Sequence, residues 1–241
     1  MSYAKHDYPF RKQAGTIIMS GQTNTVTLTG NSHDLFFLSP DEQHPAGRYV
    51  TLIDHIREKW NASIDKMILV YELNGPIRFG SEKDREKMRN AWIYFHTGKD
   101  ANALAIQRMI SSKAEREQLD DPGKEFDDYM LRAQGKPAVA LNLMKAFCLI
   151  SRSATVGSPL HPKGGVKQNL VILVEWADMM IPEGQIPQLN VGDRLRIVVC
   201  QDWFSDPGFT EGEDAVILIT ESASLVNHRV MKMPQMMQVD I

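Results

Sequence analysis

The sequence of 241 residues has few cysteines and no large excess of charge of either sign. Its two cysteines, Cys148 and Cys200, stand in the apolar stretches AFCLI and IVVCQ, which predicts two buried thiols rather than a disulfide. The formal net charge is -3, so the chain lacks the basic footprint of proteins that bind nucleic acid or anionic lipid. These scarcities argue against a disulfide-stabilised scaffold and against a nucleic-acid partner.

Long hydrophobic runs are also absent. Charges such as Glu175 and Asp178 interrupt the longest apolar stretches, and the first ten residues are polar, so we expect neither a membrane span nor a signal peptide. Hydrophobic residues make up 43% of the chain and charged ones 24%, which is typical of a globular protein with a sizeable core. We therefore expect a cytoplasmic protein with one large domain that contains an insertion.

Five apolar runs predict buried strands, because a strand that is covered on both faces is apolar at consecutive positions. The runs cover residues 24–30, 65–75, 170–176, 215–220 and 236–241. Helical stripes separate the runs, the first formed by Tyr49, Leu52, Ile53, Ile56 and Trp60. Strands that alternate with helices predict a doubly wound α/β domain with a mostly parallel five-stranded sheet. Ile172 and Ile217 should lie on adjacent central strands.

Two other segments have a distinct character. Residues 1–23 are polar, which predicts a loosely held N-terminal arm. Residues 81–135 contain ten Lys and Arg and eleven Asp and Glu, which nearly cancel, so we expect a helical insertion with solvated faces. Further along, Val191, Leu195, Val198 and Val199 fit a helix, although the overlapping stretch RLRIVVC also alternates like a strand.

The stretch KGGVKQN, residues 163–169, begins like a phosphate-binding loop. Such a loop needs a Gly-Lys-Ser/Thr element after a strand, where backbone N–H groups can face the phosphates. Here Lys167 is followed by Gln168 and Asn169, and the stretch precedes a predicted strand. It therefore predicts a surface loop between a helix and a strand.

The turn after the first predicted strand is the expected place for such a loop, yet Gly30 is its only glycine and no lysine follows before Lys59. The turn contains four polar residues, which predict that it is capped. They are Asn31, Ser32, His33 and Asp34. The adjacent pair of His33 and Asp34 also suggests acid–base catalysis. A single pair without a nucleophile supports that interpretation only weakly.

Later motifs resemble the core of AAA+ ATPases. The stretch LVILVEWAD is similar to the Walker B strand of that family, which normally ends in Asp-Glu. On that match Glu175 stands at the position of the magnesium-linked aspartate, and Trp176 replaces the glutamate that activates water. Because a bulky ring suits packing rather than magnesium chemistry, we expect Trp176 to fill space against helices or in the cleft.

The order of the remaining motifs strengthens this resemblance, which is clearest over residues 165–241. The stretch AVILITES is similar to the sensor-1 strand, with Thr220 or Glu221 near the residue that contacts water or phosphate. The stretches ASLVNHRV and MPQMMQVDI resemble the arginine-bearing corner and the fifth strand. Arg229 then falls near the arginine that reaches the nucleotide of the neighbouring subunit.

The resemblance implies a catalytically degenerate AAA-like module that serves as a structural or regulatory part of an ATP-driven assembly. Without the loop lysine and the second Walker B acid, ATP hydrolysis by this domain alone is not expected, and Glu175 and Arg229 are its only catalytic candidates. No cofactor or metal site is expected here, although ATP and magnesium could serve the full-length assembly. The resemblance further implies a homo-oligomer or ring, and a chain that continues into a catalytic AAA+ domain.

Two alternatives stay open at this point. The chain could be an active nucleotide hydrolase with an unusual pocket. It could also be an unrelated α/β module that binds a small ligand where the strand order reverses.

Overall fold

The computed structural model describes residues 8–60, 66–73, 75–112, 121–153, 166 and 168–241, and its central element is a six-stranded sheet. The strands are β1 (Thr25–Thr29), β2 (Phe36–Leu38), β3 (Arg48–Val50), β4 (Lys66–Tyr71), β5 (Ile77–Phe79), β6 (Asn169–Val174), β7 (Ala215–Thr220) and β8 (Met236–Asp240). The sheet has the order β5-β4-β6-β7-β1-β8, and β2 and β3 form a separate antiparallel pair.

Helices cover both faces of this sheet. They are α1 (Pro9–Met19), α2 (Leu52–Trp60), α3 (Glu82–Thr97), α4 (Ala101–Ile110), α5 (Pro122–Ala133), α6 (Pro137–Ser153), α7 (Ala177–Met180), α8 (Val191–Phe204), α9 (Pro207–Thr210) and α10 (His228–Met231). Short 3-10 turns lie at Ile186–Gln188 and Ala223–Leu225.

The strands are apolar at consecutive positions because each face meets its own layer of helices. On β4, Ile68 and Val70 pack in the layer that contains α1 and α2. Met67 and Leu69 point to the opposite face and pack in the layer that contains α3, α5, α6 and α8. Burial on both faces explains why the strand runs lack the alternation of a half-exposed sheet.

The prediction of a doubly wound, mostly parallel α/β domain is confirmed. β4, β6, β7, β1 and β8 run parallel, and Ile172 and Ile217 lie on the adjacent strands β6 and β7. The predicted number of five strands is wrong by one, because β5 returns antiparallel to β4 at the edge of the sheet. β5 has three residues, of which only Ile77 is buried, so it leaves no apolar run in the sequence.

Two local predictions also need correction. Residues 9–19 do not belong to a loosely held arm, since α1 buries Phe10, Ala14 and Ile17 against the sheet. These three residues recur at i, i+4 and i+7, a helical stripe that the surrounding polar residues conceal. Tyr49 does not belong to the stripe of α2, because it lies on β3 and is exposed.

Within residues 81–135, the described parts contain the helices α3, α4 and α5, and the interpretation of this segment as an insertion stays a prediction. The alternative for residues 191–199 is resolved in favour of a helix, and only part of the predicted apolar face is buried. α8 buries Val199 together with Ile197, Cys200 and Trp203, whereas Val191, Leu195 and Val198 are exposed. Apolar residues occur all around α8, so its sequence does not define which side faces the sheet.

Both cysteines are free and buried, as their apolar surroundings predict. Burial raises the pKa of the Cys200 thiol to about 12, so this thiol is unreactive at neutral pH. In the part of the chain that the structure describes, no helix has both the length and the apolar character for crossing a membrane.

Candidate functional site

A cleft of about 360 Å³ opens at the carboxyl ends of the central strands. Its walls come from the carboxyl end of β7 and from the three segments that follow β1, β6 and β7. The lining residues are Ser32, His33, Glu175, Trp176, Asp178, Met179, Ile219, Thr220, Glu221 and Leu225. These residues are far apart in the sequence, and the parallel strands bring them to one edge of the sheet.

The strand order explains why a cleft forms here. The chain after β1 leads to α2, which packs on one face of the sheet, whereas the chain after the neighbouring strand β7 leads to α10, whose Val230 packs on the other face. Segments that leave neighbouring strands toward opposite faces open a crevice between them. Ligands of doubly wound α/β proteins bind at such reversals of strand order.

Trp176 is the most unusual residue of the cleft. Its backbone has φ 54° and ψ 47°, and among the described residues it is the only non-glycine with a positive φ. A left-handed conformation costs a bulky residue about 1–2 kcal/mol. The ring lies in the cleft with its centroid 4.6 Å from that of His33, and Trp176 is 44% exposed. The ring therefore lies in the cleft, which is one of the two places that the sequence predicts for it, but it is only partly buried.

Glu175 lies at the end of β6, where its backbone N–H donates to the carbonyl of Tyr71 at 2.9 Å. Burial, together with the hydrogen bond and the charge of the neighbouring Glu72 carboxyl, raises the pKa of its carboxyl to about 7, while the charge of Arg78 partly offsets these effects. Because a carboxyl must be ionised to bind a metal well, Glu175 at neutral pH is a weak magnesium ligand. Its catalytic role stays a prediction.

The other polar groups join the three walls. The Thr220 hydroxyl donates to Asp178 Oδ1 at 3.0 Å, which ties the end of β7 to the segment after β6. Glu221 Oε1 lies 3.4 Å from His33 Nε2, and its backbone carbonyl accepts from Gly30 N–H at 3.1 Å. Glu175, Asp178 and Glu221 thus contribute three carboxyl groups, and none of the described lining residues is a lysine or an arginine.

Arg229 lies on the short helix α10 and is exposed. Its backbone N–H donates to Asn227 Oδ1 at 3.1 Å, and Asn227 is itself buried. The nearby acids have other partners, since Glu183 pairs with His228 and Glu221 with His33. Within the described residues no acid pairs with the Arg229 guanidinium. The role of Arg229 toward a neighbouring subunit stays a prediction.

The described residues test the remaining predictions from the sequence only in part. Of the stretch 163–169, residues 163–165 and 167 lie outside the described residues, so its prediction as a surface loop stays a prediction. Among the described residues no group of three His, Cys, Asp or Glu side chains could hold a metal ion. Sequence analysis missed Met179 and Leu225 as cleft residues, although both follow strand ends closely.

The family comparison agrees with this architecture. Residues 9–241 match the family model of the AAA+ chaperone N-terminal Rossmann-like domain. The chain belongs to this family. Because the match covers nearly the whole chain, it confirms the relation to AAA+ proteins that the later motifs indicate. It does not test whether the nucleotide motifs are degenerate.

Individual proteins add little to the family match. No curated protein matches the sequence. A solved structure from E. coli MS115-1, titled as a HORMA:CdnC:Trip13 complex, aligns with 94% of this chain at 10% identity and a TM-score of 0.41. The chain spans about half of the solved chain, 51% of which is covered. A similarity this low supports no conclusion about a shared activity or partner.

Proposed function

We propose that this AAA+ chaperone N-terminal domain does not hydrolyse ATP by itself and acts as a structural or regulatory part of an ATP-driven assembly. The observation that carries the proposal is the acidic character of the cleft. On this proposal, ATP and magnesium belong to a catalytic AAA+ domain of the full-length protein, and the domains assemble as a homo-oligomer or ring.

Electrostatics disfavours a triphosphate in this cleft. A phosphate cradle combines backbone N–H groups with a lysine and a metal that neutralise the phosphates. Here Glu175, Asp178 and Glu221 line the walls without a described lysine or arginine. At a separation of about 5 Å and an effective dielectric constant of about 20, each like-charge pair costs about 3 kcal/mol.

ATP turnover by the purified chain tests the catalytic part of the proposal. We expect no magnesium-dependent phosphate release above background, because the described lining of the cleft supplies no lysine or arginine to stabilise a transferring phosphoryl group. Turnover that is robust in the wild type and vanishes in Glu175→Gln would overturn the proposal. Glu86→Gln is the matched control, since Glu86 is an exposed glutamate on α3, outside the cleft.

Arg229 is the residue of this domain that we propose to act on a neighbouring subunit. A guanidinium is permanently charged and can bind phosphate oxygens in a bidentate way. We expect Arg229→Ala to lower the ATPase rate of the full-length assembly while the assembly stays intact by size-exclusion chromatography. The exposed Arg194 on α8 provides the control variant Arg194→Ala. An unchanged rate in Arg229→Ala would assign Arg229 to the solvated surface.

A further inference from the structure

We infer that a groove between α3, α5, α6 and α8 receives helix α4 of a second copy of this chain. The inference rests on the assembly part of the proposed function, because it names the surfaces through which a homo-oligomer forms. The groove and the cleft at the carboxyl edge of the sheet have no described lining residue in common. The groove is therefore a separate interaction surface.

The groove is an apolar depression of about 460 Å³. Its lining includes Trp92 of α3, Tyr129 of α5, Val139 and Leu143 of α6, and Leu195 of α8. Trp92 is buried, and its indole N–H has no hydrogen-bond acceptor in the described part of the chain. The fold thus leaves apolar surface and a buried donor unused at one place. Concave apolar sites with a few polar groups are typical of binding sites.

The charge of the groove restricts what can occupy it. Glu125 of α5 is the acid among the described lining residues, and none of these residues is a lysine or an arginine. A like charge placed against Glu125 is repelled, whereas a neutral or basic segment is not. The lining therefore fits an apolar partner segment that carries no acid.

Helix α4 has the surface that such a groove requires. Ile106, Met109 and Ile110 are 59%, 79% and 81% exposed, and their i, i+3 and i+4 spacing places them on one side of the helix. Ala101–Ile110 contains one arginine and no acid. Exposed apolar side chains that are grouped in this way mark an interaction site, and helices with anchors at this spacing dock into apolar grooves.

Helix α4 does not fill the groove of its own chain. Leu104 is its one buried residue, and Arg108 Nη1 donates to Asp121 Oδ2 at 2.6 Å, which fixes α4 near the start of α5. Held in this way, α4 presents its apolar side chains to solvent. One chain thus carries an exposed apolar helix and an apolar groove, and both are covered when α4 of one copy enters the groove of another.

Sedimentation velocity on the intact chain tests the contact. We expect the wild type to self-associate as its concentration rises. Ile110→Asp on α4 and Leu195→Asp in the groove should each weaken the association about tenfold or more, because each places a charge in an apolar contact. Met109→Asp serves in place of Ile110→Asp if unfolding curves show that the latter is not folded.

The control variant is Met19→Asp. Met19 is 82% exposed and lies on α1, which packs on the other face of the sheet. This variant should associate as the wild type does, and equal weakening in it would contradict a specific contact.

A mixture of the two interface variants distinguishes this contact from any other. Ile110→Asp keeps an intact groove, and Leu195→Asp keeps an intact α4. The mixture should therefore associate more strongly than either variant does alone. If mixing restores nothing, or if only one of the two variants loses association, then α4 and the groove are not partners and the inference is wrong.

Disulfide cross-linking reports the contact directly. Chains that carry Met109→Cys and Leu195→Cys, mixed in oxidised glutathione, should form a linked pair of the two different chains. The native Cys148 and Cys200 are buried and do not compete. An equal yield of linked pairs when Met19→Cys replaces Met109→Cys would contradict the inference.

Failure of this inference and failure of the proposed function give different results. A chain that stays monomeric at every concentration and does not hydrolyse ATP overturns this inference alone, because the full-length protein can still assemble through a catalytic domain. Self-association that none of the variants changes also overturns this inference and leaves the assembly to another interface. Magnesium-dependent ATP turnover overturns the proposed function, whatever the state of association.

Discussion

The two ends of strand β1 carry the same residue type in opposite environments. At the amino end, Asn24 is buried, and its side-chain amide donates to the carbonyls of Phe209 at 2.6 Å and Gly212 at 2.9 Å. At the carboxyl end, Asn31 is exposed, and its side chain makes no hydrogen bond to a described residue. The amino edge of the sheet uses its polar groups to hold the fold together.

The neighbouring strands repeat this contrast. At the amino edge, buried Asp214 accepts from Leu170 N–H at 2.7 Å and from the Ser151 hydroxyl at 3.4 Å. At the carboxyl edge, Asp178 and Glu221 line an open cleft. The difference teaches that polar residues at the two edges of one sheet differ in their surroundings, since they are buried within the fold at the amino edge and line an open cleft at the carboxyl edge.

The largest expected difference in stability is between variants of two tryptophans, Trp203 near the amino edge of the sheet and Trp176 in the cleft at the carboxyl edge. Trp203 is 1% exposed and packs with Phe209 near the amino edge, so Trp203→Ala should lower the free energy of unfolding by about 3–5 kcal/mol. Trp176→Ala should cost less than about 1.5 kcal/mol, because its ring is partly exposed and its backbone strained. Denaturant unfolding measures both, and equal losses would break the comparison.

A smaller effect is expected for the asparagines. Asn24→Ala removes the buried amide that donates to the carbonyls of Phe209 and Gly212 and should cost about 2–3 kcal/mol of unfolding free energy. Asn31→Ala at the other end of β1 should change it by less than about 0.5 kcal/mol. Both values come from urea titrations under identical conditions. A loss of more than about 1 kcal/mol in Asn31→Ala would mean that the carboxyl edge is also structural.

The smallest effect depends on pH. Because the folded pKa of Glu175 is raised from 4.5 to about 7, its contribution to stability is full below pH 4.5 and is lost as pH rises through about 7. Glu175→Gln should therefore match the wild type near pH 4.5 and be about 1 kcal/mol more stable at pH 8, with solvent screening included. Glu86→Gln should show no such pH dependence. A difference that is equal at both pH values would contradict the raised pKa.

The sequence alone predicts the sheet well because its strands are buried on both faces. The runs around Ile68, Ile172 and Ile217 are apolar at every position, and no other structure accommodates five such short runs between helices as simply. The edge strand β5 and helix α1 could not be found in this way. β5 is too short to form a pattern, and the apolar stripe of α1 is hidden among polar residues.

The candidate site was less predictable than the sheet. Glu175 and Trp176 follow a strand and could be named from the sequence, but their nearness to His33 and Glu221 depends on the order of strands in the sheet. That order follows from crossovers over long segments, which local patterns do not encode. The pKa of Glu175 likewise depends on Glu72, which is about a hundred residues away in the chain.

Nucleotide binding by the isolated chain tests the central claim, that the carboxyl-edge cleft does not accommodate a triphosphate. Isothermal titration calorimetry with ATP and magnesium should give no saturable heat for the wild type or for Glu86→Gln, because the Asp178 and Glu221 carboxylates repel the phosphates and no described lysine or arginine lines the cleft to offset them. A saturable heat with a stoichiometry near one, lost in a variant of the cleft such as Thr220→Val, would contradict the account.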